Sequence, residues 1–398
     1  MLSLLLTAAA LAAAPRAGGP TLPPPKPHID VRVDSIHSQI IVTAGPFDLP
    51  AMDPHMDMSD MEHAPNDVMR FDWPVRGYLR GFDVQMRDAA GDSLPRSILH
   101  HLIGVNFDRR QLVYPSVERL FGWGSETSPV ELPSSLGVPL KPGEHLGMYA
   151  MFHNETGHDI ASAYLQVTLL YTPANGNHVL GVMPFYVDVN NVIGGATTFD
   201  VPPGKSTHSY EFELPIAGKL VGIGGHLHDY GSTVELQDAA TGKVLARIKA
   251  KRDSKGHVES VGRFIFGFNA DALALEAHHP YRVVATYDNP TSETVRDGGM
   301  GHINGAFVPD DMGKWPKLDL NDPLVKKDIA ALPTMTDMKS GGTGTTSHPH
   351  PGSAPSTRSP SSQSGTQMRD MPMGAMDHVR HEPAPRPKPD SSQSHPQP

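Results

Sequence analysis

The segment Tyr78-Leu-Arg-Gly-Phe-Asp-Val-Gln-Met86 alternates apolar and polar side chains. Successive side chains of a β-strand point to opposite faces, so this period of two predicts a strand with one buried face. Similar runs recur at Leu146 to His153, Tyr164 to Tyr171, His208 to Leu214, Thr233 to Gln237 and Tyr281 to Tyr287. Turn residues separate the runs, at spacings typical of antiparallel β-sandwiches. The pattern predicts an all-β protein, with few helical stretches beyond Leu324 to Leu332.

The turn-rich segment Tyr171-Thr-Pro-Ala-Asn-Gly-Asn177 is the best internal boundary. It divides the β region into a first sandwich at 70–172 and a second at 178–320, both of ordinary domain size. Residues 15–69 are predicted to be a linker with a Met/His-rich insert. Residues 333–398 are rich in Ser, Gly, Pro and His and lack the apolar content for a core, which predicts a disordered tail.

The first fourteen residues, MLSLLLTAAALAAA, form a short apolar run that ends in small residues. The composition of this segment fits a secretory signal peptide, and the segment is too short to span a bilayer. No later segment approaches 18 consecutive apolar residues. The sequence therefore predicts an exported protein, periplasmic or secreted, with no transmembrane span in the mature chain.

The composition excludes several classes of partner and of metal site. Its formal net charge is −10 over 398 residues, which argues against a nucleic-acid partner. The absence of Cys excludes thiolate zinc sites, iron–sulfur clusters, catalytic cysteines and disulfides. Any metal must therefore be bound by the 22 His, the 18 Met or carboxylates.

The strongest local motif is Gly224-Gly-His-Leu-His-Asp-Tyr-Gly231, which follows the apolar run Lys219 to Ile223. Residues i and i+2 of a strand share a face, so His226 and His228 can present two imidazoles to one ion. The alternative is a pair of surface or hydrogen-bonded histidines.

A second motif contains the adjacent residues His100 and His101. Neighbours on a regular strand face opposite ways, so these two can share a metal only if the strand ends or bulges there. A third histidine, His153, ends a predicted strand. Taken singly, each of these residues also fits a purely structural role.

Further motifs follow in a fixed order within residues 78–306: Leu120-Phe-Gly-Trp-Gly124, Val130-Glu-Leu-Pro133, Leu136-Gly-Val138, Tyr149-Ala-Met-Phe-His153, Tyr287-Asp-Asn-Pro290 and Gly298-Gly-Met-Gly301. With His100-His101-Leu before them and the His-x-His motif between them, this succession resembles the copper type II, ascorbate-dependent monooxygenases. That family includes peptidylglycine α-hydroxylating monooxygenase and dopamine β-monooxygenase.

The resemblance implies two tandem jelly-roll-like sandwiches that face each other across solvent, each with one copper ion. His100, His101 and His153 would bind the first copper, which stores an electron from ascorbate or another one-electron reductant. His226, His228 and a thioether would bind the second, where dioxygen reacts with a C–H bond of a small organic substrate. Imidazole suits copper in both oxidation states, and thioether favours Cu(I).

The sequence departs from the family pattern where the thioether ligand is expected. Counting from Gly298-Gly299 leads to Gly305 and Ala306, and no Met stands there. Met300 is the nearest substitute, with His302 and Met312 as alternatives; Met300 also fits a buried apolar residue. Gly224 occupies the position of the arginine that grips the substrate carboxylate in the peptidylglycine branch, which argues against peptide amidation.

Residues 51–65 and 368–381 each hold four Met and two His. Such segments can collect Cu(I) weakly without fixed geometry, although compositional drift is the alternative. The leading functional hypothesis is an exported copper monooxygenase. The alternative is a non-catalytic copper-binding protein for storage, delivery or resistance, and a zinc hydrolase ranks third because no carboxylate has convincing general-base spacing.

Overall fold

The computed structural model describes residues 27–52, 68–175, 178–195, 197–267 and 272–332. The predicted leader, most of the first Met/His-rich segment, all of the second and the predicted tail lie outside these residues. Within the described part, strands dominate and there is one α-helix. The all-β class predicted from the alternating runs is therefore confirmed.

The first sandwich is built from the strands β1 (His28–Asp34), β2 (Gln39–Leu49), β3 (Met69–Asp72), β4 (Gly77–Arg87), β5 (Leu99–Arg110), β6 (Val117–Gly124), β7 (Val130–Glu131), β8 (Leu136–Leu140), β9 (His145–Phe152), β10 (Ile160–Pro173) and β11 (Leu180–Gly181). One of its sheets has the order β1-β2-β10-β4-β8-β11, with β7 beside β4, and the other has the order β3-β9-β5-β6. Apolar side chains of both sheets form one core around Leu79, Leu102 and Leu146.

The second sandwich contains the strands β12 (Met183–Asp188), β13 (Phe199–Val201), β14 (Gly204–Glu213), β15 (Gly218–Leu227), β16 (Gly231–Asp238), β17 (Val244–Arg252), β18 (Val258–Val261), β19 (Arg263–Ile265), β20 (Leu273–Leu275), β21 (Pro280–Asn289), β22 (Val295–Gly299) and β23 (Gly301–Pro309). Its sheets have the orders β12-β23-β15-β19, with β20 beside β15, and β14-β21-β16-β17-β18, and β13 pairs with β22. A second core packs around Leu220, Val234 and Ile303.

Strands β1 and β2 lie in a segment for which the sequence analysis predicts a linker. β2 pairs with β10 in antiparallel register, and Ile40, Val42 and Ala44 are buried in the first core. These three residues alternate with Ile41 and Thr43, so β2 has the same period of two as the strands that were predicted.

A single α-helix among the described residues, α1 (Pro323–Ala331), follows the second sandwich. It begins at Asp322, whose side chain accepts a hydrogen bond from the backbone N–H of Leu324, and Pro323 occupies the first turn, as is common. The helix predicted at Leu324 to Leu332 is confirmed. In the described part of the chain, no helix has the length and hydropathy needed to cross a bilayer.

Candidate metal centre

His100 and His101 lie at the start of β5, where the strand is irregular. The pairing of β5 with β9 shifts register between Leu99 and His101, so His100 is an extra residue in the ladder. Such a bulge re-aims side chains that would otherwise point to opposite faces. The two rings are consequently neighbours, with centroids 4.0 Å apart. The sequence analysis predicts that His100 and His101 can share a metal only where the strand ends or bulges, and the structure has a bulge at this position.

His226 lies near the end of β15 and His228 follows that strand directly. Their ring centroids are 5.1 Å apart, as expected for residues i and i+2 on one face. The Nε2 atom of His101 lies 3.2 Å from Nε2 of His226 and 3.3 Å from Nε2 of His228. The two ligand sets that the resemblance places apart across solvent are thus in direct contact.

His100, His101 and His228 form a group that can hold a metal ion. Each offers one ring nitrogen, and these three atoms lie within 4.8 Å of one another. His101 is buried and the other two are partly buried. The group combines residues of both sandwiches, two from β5 and one that directly follows β15.

His153 extends the cluster at one end. It follows β9, and its backbone N–H donates to the carbonyl of Ile98 at 2.7 Å. Its ring stacks on that of His100, with centroids 4.0 Å apart and planes 13° from parallel. The Nε2 atom of His153 is buried without a hydrogen-bond partner among the described residues. All five predicted histidine ligands therefore belong to one cluster.

His302 extends the cluster at the other end. It is the cross-strand partner of His226, because β15 and β23 pair in antiparallel register. The two rings are nearly parallel, with centroids 4.8 Å apart. The Nδ1 atom of His302 lies 3.8 Å from Asp188 Oδ2, beyond hydrogen-bond range. The sequence analysis named His302 only as an alternative to Met300.

Met300 and Met312, the two methionine candidates, have different surroundings. Met300 is partly buried between β22 and β23, and its backbone N–H donates to the Tyr287 hydroxyl at 2.9 Å. Met312 begins a short 3-10 helix and is 42% exposed. Met300 lies two residues before His302 in the sequence, but no contact of its thioether with the cluster is found among the described residues, so its assignment as a ligand stays a prediction.

Burial keeps the rings of His100, His101, His228 and His302 uncharged. It lowers the pKa of His100 to about 2 and that of His228 to about 3, and neighbouring imidazoles contribute to both shifts. Burial also holds the pKa values of His101 and His302 well below the usual range. Neutral imidazoles have a free lone pair, so a metal ion does not have to displace protons from these rings at neutral pH.

Glu126 orients His226 from outside the cluster. Its Oε1 atom lies 2.6 Å from Nδ1 of His226, and both side chains are buried. Burial would raise the pKa of this carboxyl, but the His226 ring outweighs that effect and the pKa lies below its ordinary value. When Nδ1 donates to the carboxylate, the lone pair of His226 is on Nε2, which faces His101.

Tyr287 fixes the backbone on either side of the centre. Its buried hydroxyl accepts from the backbone N–H of His228 at 3.2 Å and from that of Met300 at 2.9 Å. The same hydroxyl donates to the carbonyl oxygen of Met300. One side chain of β21 therefore holds the end of β15 close to the start of β23.

A cavity of about 270 Å³ adjoins the cluster and lies between the two sandwiches. Its wall includes His101, His226 and His302, together with Glu126. Apolar residues from both sandwiches form much of the remainder, among them Ile103, Leu120, Phe121, Val182, Ile223, Ile265 and Ala306. The histidine cluster therefore faces a space that is mostly apolar.

No protein-family model and no curated protein sequence matches the chain. Among solved structures, it is similar to the major capsid protein P2 of bacteriophage PM2, with a TM-score of 0.32 and 12% identity over 67% of this chain and 98% of that one. It is also similar to PNGF-II, with a TM-score of 0.30 and 10% identity over 67% of this chain and 65% of that one.

A third similar structure is the mavirus major capsid protein, with a TM-score of 0.19 and 9% identity over 78% of this chain and 93% of that one. At such scores the backbones superpose poorly, and function is in any case a property of sites rather than folds. The candidate centre is therefore interpreted from its own residues.

Proposed function

We propose that the chain is an exported oxidoreductase that binds two copper ions in the histidine cluster. It would hydroxylate a C–H bond of a small organic substrate with dioxygen and a one-electron reductant such as ascorbate. The observation that carries the proposal is the group His100, His101 and His228, whose ring nitrogens lie within 4.8 Å of one another and whose buried member, His101, lines a mostly apolar cavity.

The spacing of the ring nitrogens fits coordination to a metal ion. Two nitrogens that each lie about 2.0–2.1 Å from one ion are separated by roughly 3.3 Å at a tetrahedral angle and by at most about 4.2 Å. The Nε2 atom of His101 lies 3.2 Å from that of His226 and 3.3 Å from that of His228. Little movement is needed for His101 to share an ion with either ring.

The donor set favours copper over other metals. Imidazole suits copper, zinc, iron and nickel, and the affinity of a nitrogen site for divalent first-row metals is greatest for Cu²⁺. The chain has no Cys that would favour zinc or iron–sulfur binding. The resemblance to copper monooxygenases rests on the order of the same histidines.

The number of rings favours two ions. Five imidazoles contact one another in succession among the described residues, from His153 and His100 at one end to His226 and His302 at the other, and a sixth, His228, stacks on His101. One tetrahedral ion needs four ligands at most, whereas two ions with open positions need three each. The division that the resemblance implies, with His302 in place of Met300, would give His100, His101 and His153 to one ion and His226, His228 and His302 to the other.

Copper, when bound, supplies one-electron redox chemistry with dioxygen. In the overall reaction one oxygen atom enters the substrate C–H bond and the other leaves as water, with two electrons and two protons from the reductant. The chain's own residues keep the rings of His100, His101, His228 and His302 neutral, orient His226 through Glu126 and place apolar side chains beside the centre.

The test is copper binding followed by oxygen uptake. The full chain is loaded with Cu(II) and dialysed against a chelator that removes weakly held ions. We expect two coppers per chain, one in His302→Ala, and two in Met300→Leu. His145→Ala, which removes an exposed ring paired with Asp108, is the matched control. Two coppers in His302→Ala would contradict the assignment of His302.

Oxygen consumption then tests for catalysis. With ascorbate, the loaded protein should consume oxygen faster than the same concentration of free copper, and His101→Ala should lose this excess. Tight binding of two coppers without the excess would instead support the non-catalytic alternative of copper storage or delivery. A chain that binds no copper tightly would overturn both functions.

A further inference from the structure

We infer that the cavity beside the histidine cluster binds a neutral, largely hydrocarbon molecule somewhat larger than a single aromatic ring. This inference rests on the proposed function, since it names the substrate class of that centre. The binding step itself needs no metal and can be measured separately. The cavity faces the centre through His101, His226 and His302, so a molecule inside it lies against the proposed ligands.

The cavity is formed by strand faces that turn towards each other. Cross-strand partners share a face of a sheet, and His101 pairs with Gly124 and Ile103 with Gly122 across β5 and β6. In the second sandwich His226 pairs with His302 and Gly224 with Asn304 across β15 and β23. In each sandwich, histidines and glycines therefore lie on the same face, and both faces line the cavity.

Two glycines keep the cavity open. A Cβ atom at Gly122 would approach nothing nearer than Ile103 Cδ1 at 3.6 Å, and one at Gly224 would meet only Arg263 Cγ at 3.8 Å. These are ordinary contacts, so the protein has room for a methyl group at both positions. By contrast, a Cβ at Gly305, which also lines the cavity, would lie 2.6 Å from the carbonyl oxygen of Gly222.

The charged side chains in the described wall are all engaged by protein groups. Arg80 forms an ion pair with Glu131. Arg263 donates to the carbonyl oxygen of Ser128 at 2.6 Å and to that of Pro129 at 3.1 Å. Glu126 is bonded to His226. No charge in this wall is free to pair with a carboxylate, phosphate or ammonium group, and burying an unpaired ligand charge there would be costly.

The volume indicates how large a molecule the cavity can enclose. A dry apolar cavity of about 150 Å³ is enough to bind benzene. At about 270 Å³, this cavity has room for a larger molecule, such as a substituted or fused ring. Small-molecule sites are typically apolar with a few polar groups, and here the amide of Asn304 lies in an otherwise mostly apolar part of the wall.

The experiment is a ¹⁹F NMR titration of the metal-free full chain with two probes of similar size. 4-Fluorotoluene is neutral and 4-fluorobenzoate carries a charge. We expect saturable binding of 4-fluorotoluene and at least tenfold weaker binding of 4-fluorobenzoate. Equal or stronger binding of the benzoate, or no saturable binding of the toluene, would overturn the inference.

Cavity-filling variants locate the bound probe. The double variant Gly122→Ala/Gly224→Ala should bind 4-fluorotoluene at least tenfold more weakly and keep its unfolding temperature. Gly181→Ala is the matched control, because its Cβ would meet only Pro139 at 3.9 Å and it does not line the cavity. Unchanged binding in the double variant would place the probe elsewhere and overturn the inference.

Copper binding separates this inference from the proposed function. Both glycine variants keep every histidine of the cluster, so they should bind copper as the unmodified chain does. Failure of the unmodified chain to bind copper would overturn the proposed function while leaving the probe titration valid. Normal copper binding without probe binding would overturn only the inference about the substrate.

Discussion

Glu126 and His226 show how a single contact can orient a candidate metal ligand. The carboxylate accepts from Nδ1 at 2.6 Å, so the other ring nitrogen presents its lone pair to the cluster. The turn after β6 brings Glu126 close to Gly124, where a Cβ would lie 2.2 Å from a carboxylate oxygen. Gly124 is therefore required for this close approach, and a larger residue would displace the carboxylate.

Removal of the Glu126 carboxylate should weaken metal binding without removing a ligand. We expect Glu126→Ala to lower copper affinity by about 10- to 100-fold, as is typical when the partner of a ligating histidine is lost. A competitive chelator titration measures the change. Glu211→Ala, which removes an exposed carboxylate paired with Arg282, is the control. An affinity equal to that of the unmodified chain would show that Glu126 does not orient His226.

Residue patterns predicted much of the centre. The His-x-His motif placed His226 and His228 on one face, and the need for a bulge at His100 and His101 followed from strand geometry alone. The role of His302 did not follow, because it depends on its pairing with His226. That pairing is set by the register of two strands 76 residues apart in the chain, which core packing determines and no local pattern reveals.

Strand β2 is a second feature that the local sequence did not predict, because the strand depends on its pairing with β10. The alternation of Ile40, Val42 and Ala44 was visible in the sequence, but its Pro/Gly-rich and Met/His-rich flanks favoured a linker. The strand is stabilised by its antiparallel pairing with β10, more than 100 residues later. Tertiary pairing of this kind overrides local composition.

At the scale of the strands, Tyr287 of β21 connects the end of β15 to the start of β23. Its hydroxyl accepts from the backbone N–H groups of His228 and Met300, so Tyr287→Phe would leave two N–H groups without that partner. We expect the free energy of unfolding to fall by about 1–3 kcal/mol and copper affinity to fall as His228 becomes less fixed.

Denaturant unfolding and chelator competition measure the two effects of Tyr287→Phe. Tyr78→Phe is the matched control, because no hydrogen bond of its hydroxyl is found within the described ranges. If Tyr287→Phe changes neither quantity more than the control does, the hydroxyl does not hold the two strand ends together.

On the scale of the whole molecule, α1 connects the end of the second sandwich to the first. The carboxylate of Asp328 receives two hydrogen bonds from the Arg119 guanidinium, both at 2.7 Å, and a third from the backbone N–H of Val117 at 3.2 Å. Both charged side chains are largely buried. The helix that follows the second sandwich therefore holds β6 in place, and β6 ends two residues before Glu126.

Loss of this buried ion pair should destabilise the protein strongly. Asp328→Ala leaves the Arg119 charge largely buried without its partner, so we expect the free energy of unfolding to fall by about 3–5 kcal/mol. Glu259→Ala, which removes an exposed carboxylate paired with Lys251, should cost no more than about 1 kcal/mol. Thermal and denaturant unfolding measure the loss of stability in Asp328→Ala and in the control variant. Equal losses would show that α1 does not stabilise β6 through this pair.

The division of the histidines between the sandwiches has a consequence for biosynthesis. His100, His101 and His153 leave the ribosome well before His226, His228 and His302, and the complete centre forms only after both halves have folded and docked. A nascent or half-folded chain has only part of the histidine cluster, so any metal affinity that needs the whole cluster would arise at the end of folding. Bound metal would then mark chains that have finished assembly, and separation of the halves would release it.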